Sequence, residues 1–213
     1  MSVHIERARV EPGAPRPATD RHRMVPRIRA AGIVLTAGAV AWAIGTLVAG
    51  DQMDQDVQPL ENATSMVFLC GVAALTLVVL ATRATGPRKG RAFPIVELAL
   101  LAPAMLWSVF AFVYPEQGVE PGWMLALDMC WPLSQLCTIV LGAAVARVGN
   151  WTGFLRWHLL LAALWLPVMI PFKNLAGTVA FTYASAIWLV ATYGTLGLRL
   201  ALRPADTLAG VRD

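Results

Sequence analysis

An acidic residue inside an apolar run is the first place in this chain where chemistry is expected. Asp128 lies in the stretch 121–146, which carries no other acidic or basic residue before its end. An ionisable side chain at membrane depth is costly and normally faces the interior of the protein. Trp131 and Gln135 follow at i+3 and i+7, on the same face of a helix. This face predicts either a polar pocket for a proton, a cation or a small solute, or a buried acid that fixes helix packing.

Residues at a similar depth in two other apolar stretches are expected to surround Asp128. A rise of about 1.5 Å per residue, counted from the ends of the stretches, brings a Trp-Ser pair and a Thr-Tyr pair to its level. The predicted ligand-binding residues are Asp128, Trp131, Gln135, Trp107, Ser108, Thr182 and Tyr183, and Trp165 is deep enough to line the same pocket. Aromatic core packing is the alternative explanation for the deep tryptophans.

Glu97 is the second acid inside an apolar stretch, about 8–9 Å from the opposite membrane surface. Because acids at this depth usually pair, we expect an inner-leaflet ion pair of Glu97 with His158 or Arg156. A proton relay assisted by the histidine is the alternative. Asp128 and Glu97 are expected in opposite leaflets, which excludes a close acid–base dyad of the two.

No sequence motif for a metal, a cofactor or a catalytic nucleophile is found. His158 is the only histidine in a long apolar stretch, so a haem site with two histidine ligands is excluded, and no Cys/His cluster is present. We therefore predict no metal and no cofactor, and we disfavour an enzyme. An enzyme that acts on a lipid or isoprenoid, with Asp128 or Glu97 as general acid, stays an alternative.

The elements that position these residues are six long apolar stretches. Hydrophobic residues make up 57% of the chain and charged residues 14%, against about 25% charged in soluble domains. Each stretch is near the ~20 residues needed to cross a ~30 Å hydrocarbon core. The sequence predicts an all-α polytopic integral membrane protein, a compact bundle of six transmembrane helices in a domain of residues 30–202, with spans at about 30–50, 62–82, 92–115, 121–146, 152–172 and 174–200.

The basic residues predict the orientation of the bundle. Of the 17 Lys and Arg residues, all except Lys173 lie in the N-terminal segment, in the second and fourth connections or at the C-terminal end. The excess of basic residues in cytoplasmic segments places both termini in the cytoplasm and Asp128 in the outer half of the bilayer. The same distribution explains the net charge of +4 without a nucleic-acid partner. Arg outnumbers Lys fifteen to two and Ala is abundant, a composition typical of GC-rich bacterial genomes. We therefore expect a bacterial cytoplasmic membrane.

The two ends of the chain are predicted to be cytoplasmic tails. Residues 1–29 hold seven arginines and read as a disordered basic tail, which would bind anionic lipid or another protein. Residues 203–213 form the C-terminal tail. The preferred function is a binding or transport component for a small solute or ion, with an outward-facing Asp128 pocket and homo-oligomerisation as an option. A non-catalytic accessory or signalling partner is the remaining alternative.

Two packing predictions concern the helix surfaces. Small residues recur every four positions from Ala37 through Ala41 and Gly45 to Ala49. Such a stripe lets a second helix approach closely, so we expect this face to be buried. Trp151 and Trp157 are expected at the inner membrane boundary, where indoles are common.

Overall fold

The computed structural model describes residues 18–50, 52, 57–114 and 121–208, and this part of the chain is helical and contains no β-strand. Two 3₁₀ turns cover Arg88–Arg91 and Pro204–Thr207, and a π-helical turn, Val190–Gly194, joins the last two helices. The all-helical prediction is confirmed. The helices are α1 (Ala18–Ala49), α2 (Pro59–Thr82), α3 (Ala92–Ala111), α4 (Gly122–Asp128), α5 (Cys130–Val148), α6 (Leu155–Ala163), α7 (Trp165–Leu189) and α8 (Thr195–Leu202).

Five helical stretches in the described residues are long and apolar enough to cross a membrane. Helices α4 and α5 run on through Met129, whose amide donates to the Leu125 carbonyl at 2.9 Å, and α6 continues into α7 through Leu164, whose amide donates to the Leu160 carbonyl at 3.2 Å. The prediction of a membrane protein is supported, whereas six crossings and the orientation stay predictions. The five stretches are His22–Ala49, Pro59–Thr82, Lys89–Ala111, Gly122–Val148 and Leu155–Leu202.

The fifth stretch is a helical hairpin. Its 48 residues would measure about 72 Å as a straight helix, more than twice the ~30 Å hydrocarbon core. The helix breaks at Gly177, whose φ of 80° and ψ of 170° suit only glycine. Trp188 Nε1 donates to the Ala162 carbonyl at 3.3 Å, so the two arms run antiparallel. The apex of this hairpin lies near Gly177.

Helix α1 packs closely against α2 through glycines. A Cβ atom built on Gly38 would lie 2.7 Å from Cα of Phe68, and one built on Gly71 would lie 2.7 Å from Cα of Leu35. The backbones of the two helices therefore touch, as small-residue contacts allow in membranes.

The small-residue stripe predicted on α1 is buried only in part. Gly45 and Ala49 are buried, but Ala37 is exposed and Ala41 is half-buried. The prediction for Ala37 is wrong because the neighbouring residue, Gly38, contacts α2 in its place, whereas Gly45 of the predicted stripe does contact α2.

The two ends of the bundle differ in charge. We call the end with Gly50, Gln58 and the hairpin apex the upper end; there, Thr182 Oγ1 donates to the Gly50 carbonyl at 3.5 Å. The opposite, lower end holds the connections 83–91, 149–154 and 203–208. Arginine side chains collect at this lower end, among them Arg23, Arg27, Arg29, Arg83, Arg91, Arg147, Arg156, Arg199 and Arg203.

Both predicted tails are partly folded. Helix α1 begins at Ala18, so residues 18–29 are helical rather than disordered, and the side chain of Ile28 is buried in the core. At the other end Thr152 N donates to the Asp206 carbonyl at 3.0 Å, and Leu208 is buried. Apolar side chains explain both corrections, since they give the segments a surface to pack. The remainders of the two tails, 1–17 and 209–213, lie outside the described residues.

Candidate functional site

A cavity of about 330 Å³ lies in the upper half of the bundle. This volume is at the small end of the range for small-molecule sites, about 300–1,000 Å³. Helices α1 to α5 and both arms of the hairpin contribute to its walls. The lining residues that bear on function are Trp42, Glu61, Asn62, Trp107, Ser108, Asp128, Trp131, Trp165, Lys173 and Ser185.

Four of the seven predicted ligand-binding residues line this cavity, namely Trp107, Ser108, Asp128 and Trp131. The other three lie elsewhere. Gln135 is buried one turn beyond Trp131. Thr182 is buried and donates to the Thr178 carbonyl at 2.9 Å. Tyr183 is 62% exposed on the outside of the bundle.

Glu61 is the main lining residue that the sequence did not assign to the site. The uncharged run begins at Asn62, so the sequence predicts Glu61 in the connection before the second span. The structure places Glu61 in the first turn of α2, where Trp42 Nε1 donates to its Oε1. A proline at the helix start followed by an acid in the first turn is a signal that would have found this helix end.

Asn62 connects two helices of the cavity wall. Its Nδ2 donates to the Ser108 carbonyl at 2.8 Å, which joins α2 to α3 beside the cavity. A buried amide with a cross-helix partner fixes the positions of both helices because breaking this bond would leave two polar groups unsatisfied.

Three tryptophans form one side of the cavity, which we call the indole wall: Trp42, Trp131 and Trp165. The ring centroids are 6.4 Å apart for Trp42 and Trp131, and 5.8 Å apart for Trp165 and each of the other two. The Trp131 ring stands edge-on to both partners, an arrangement that the aromatic quadrupole favours. These contacts hold α1, α5 and α7 together and give the cavity a rigid side.

Two buried polar groups of the lining have no hydrogen-bond partner among the described residues. They are the Ser185 hydroxyl and Trp165 Nε1; Ser185 is 1% exposed. Buried hydroxyls in helices commonly donate to the carbonyl four residues earlier, as Thr192 does to Trp188 at 2.7 Å, but Ser185 does not. Because an unsatisfied buried polar group costs about 1–3 kcal/mol, a bound molecule with a hydrogen-bonding group would stabilise this site.

Among the described residues that line the cavity, Lys173 is the only one with a cationic side chain. It lies near the hairpin apex, with Nζ 5.3 Å from the centroid of the Phe181 ring. The lining thus holds two carboxyl groups, Glu61 and Asp128, and one ammonium group.

Glu97 belongs to a separate cluster and is not brought together with His158 or Arg156. Glu97 is fully buried, and its Oε1 accepts hydrogen bonds from Ser134 Oγ at 2.6 Å and Thr138 Oγ1 at 3.0 Å. These partners lie six and ten residues after Asp128, about 9 and 15 Å further along the helix. This separation agrees with the expectation that Asp128 and Glu97 form no dyad.

The expected ion pair of Glu97 does not form because α6 lies against α5 and α8 rather than α3. His158 Nε2 is 3.1 Å from Thr195 Oγ1 on α8. The Arg156 guanidinium donates to the Ala146 carbonyl on α5 at 2.7 and 3.1 Å. Hydroxyl groups take the place of the expected cation at Glu97.

Comparisons with known proteins give no assignment. No protein-family model, no curated protein and no solved structure matches the chain. Within the described residues, no group of three or more His, Cys, Asp or Glu side chains is placed to hold a metal ion. The function is therefore argued from the cavity.

Proposed function

We propose that this chain is a membrane component that binds or transports a small solute or ion, and that the cavity at Asp128 is its binding site. One observation carries the proposal: a cavity of about 330 Å³ between the helices is lined by Asp128 and Glu61 and by the unpartnered Ser185. Unsatisfied polar groups beside a cavity favour a ligand over a purely structural role for the acid.

We further propose a topology of six crossings with both termini in the cytoplasm, in a bacterial cytoplasmic membrane. The break at Gly177 divides the fifth apolar stretch into two arms of spanning length. The lower end carries the arginines and would face the cytoplasm. The cavity would then open toward the outside.

Reporter fusions test this topology. Fluorescent protein fused to either terminus is expected to fluoresce, because both fusions would stay in the cytoplasm, and alkaline phosphatase inserted at Gly177 or Gly50 is expected to be active. A phosphatase fusion that is active at the C-terminus would contradict the proposal, since five crossings place the two termini on opposite sides. Phosphatase inserted at Gly86, in the lower end, is the matched control and should be inactive.

Ligand-induced thermal stabilisation tests the binding site. The purified protein in detergent is scanned against a panel of ammonium compounds, amino acids, sugars, alcohols and alkali ions. At least one solute is expected to raise the melting temperature, and Asp128→Asn is expected to weaken its binding about tenfold or more, since hydrogen bonds to charged groups contribute about 1.5–3 kcal/mol.

Asp206→Asn removes the same charge at the lower end, far from the cavity, and should bind as the wild type does. The proposal fails if no solute in the panel stabilises the protein. It also fails if the two Asp→Asn variants bind every stabilising solute equally well.

A further inference from the structure

The chemistry of the cavity lining points to one class of solute. Resting on the proposed function, we propose that the cavity binds a small organic cation that carries an ammonium group and a hydroxyl or carbonyl oxygen. The ammonium lies between Glu61 and Asp128 against the indole wall, and the oxygen lies toward Ser185 and Trp165.

The charge of the lining favours a cation. The described lining holds two carboxyl groups, Glu61 and Asp128, and one ammonium group, Lys173, so acidic groups outnumber basic groups there. Charges in a site walled by apolar groups interact more strongly than in water. A cationic solute neutralises this excess, whereas an anion would increase it.

The indole wall connects the two carboxyl groups. Trp42 donates to Glu61, its ring lies 6.4 Å from that of Trp131, and Trp131 is three residues from Asp128 on the same helix face. Indole rings attract cations through their quadrupole, by about 0.5–2 kcal/mol. An ammonium group in this part of the cavity would therefore lie near carboxyl groups and aromatic rings, the combination typical of sites for organic ammonium ions.

The remaining lining specifies the rest of the solute. Leu69, Ala104 and Leu189 offer apolar surface for methyl or methylene groups. The unpartnered Ser185 hydroxyl and Trp165 Nε1 are donors that an oxygen atom of the solute would satisfy. A bare alkali ion would use neither of these features.

Three probes of similar size separate the parts of this proposal. Choline has both charge and hydroxyl, tetramethylammonium has only the charge, and 3,3-dimethyl-1-butanol is the neutral carbon analogue of choline. Binding is measured by calorimetry on the full chain in detergent, at one ionic strength set with sodium chloride. Choline is expected to bind at least about tenfold more tightly than the neutral alcohol, and tetramethylammonium is expected to fall between them.

Two variants assign these contributions to residues. Glu61→Gln is expected to weaken choline and tetramethylammonium about tenfold and to leave the neutral alcohol unchanged. Ser185→Ala is expected to weaken choline about fivefold and to leave tetramethylammonium unchanged, because only choline has an oxygen to bind. Asp206→Asn is the matched charge control. If Glu61→Gln does not fold, the comparison of the three probes on the wild type still decides whether the cavity prefers a cation.

Equal affinity for choline and its neutral analogue would overturn the cation proposal, and so would competition by sodium that equals that of choline. In both cases the proposed binding function survives, since a solute still occupies the cavity. Failure of the three probes together with failure of the wider panel would instead remove the proposed function itself.

Discussion

Gly38→Leu is expected to abolish the folded bundle. Even the first added carbon would lie 2.7 Å from Cα of Phe68 and 2.8 Å from the carbonyl oxygen of Val67. Both are backbone atoms of α2, which cannot move aside as a side chain can, so α1 and α2 would have to separate. Overpacking a core costs about 1–3 kcal/mol when side chains can adjust, and we expect more here because two helix backbones must part.

The measurement is the yield of monodisperse protein in detergent and, where protein is recovered, its melting temperature. Gly38→Ala is expected to be destabilised in the same direction by a smaller amount. Gly122→Leu is the matched control, since nothing lies within 4 Å of a Cβ atom at Gly122. If Gly38→Leu and Gly122→Leu yield equally stable protein, the close α1–α2 contact described above is wrong.

The apolar stretches could be predicted from the sequence, but their rotation about the helix axes could not. Runs without charge fix where a helix enters and leaves an apolar environment, and α2 differs from its prediction only at its start, Pro59 instead of Asn62. Helix α1 carries small and apolar residues on every face, so nothing in its sequence distinguishes a contact centred on Ala37 from one centred on Gly38. Only the partner helix decides between them.

The site residues that could be predicted are those whose position follows from a single helix, through its repeat and its depth. The helical repeat and the depth count brought Asp128, Trp131, Trp107 and Ser108 to the cavity. The sequence did not place Glu61 at the cavity because it predicts the start of α2 three residues too late, at Asn62 instead of Pro59.

The partners of Glu97 depend on which helices are neighbours, and short connections do not fix that. Ser134 and Thr138 reach Glu97 because α5 packs against α3, while His158 on α6 contacts Thr195 on α8. Bundles with different helix orders satisfy the same sequence pattern, so this contact follows from tertiary packing alone.

Trp151→Ala is expected to cost about 3–5 kcal/mol of stability, the usual range for removing a large buried aromatic side chain. Trp151 was predicted at the membrane boundary, but it is 0% exposed, and its Nε1 donates to Thr82 Oγ1 at 3.1 Å. The indole therefore joins the end of α2 to the connection before α6. The ring is buried because the lower-end connections fold over it, and its place at a membrane boundary stays a prediction.

Trp157→Ala is the matched control for this substitution. Trp157 is 50% exposed, and the Arg156 guanidinium lies 5.2 Å from its ring centroid, so its loss should cost less than about 1 kcal/mol. Unfolding in a detergent titration measures both variants, and Trp151→Phe should fall between them because it keeps most of the ring volume and loses the hydrogen bond. Equal losses for Trp151→Ala and Trp157→Ala would contradict the buried position of Trp151. Since Trp151 lies at the end opposite the cavity, the molecules of Trp151→Ala that remain folded should bind the wild-type ligand with unchanged affinity.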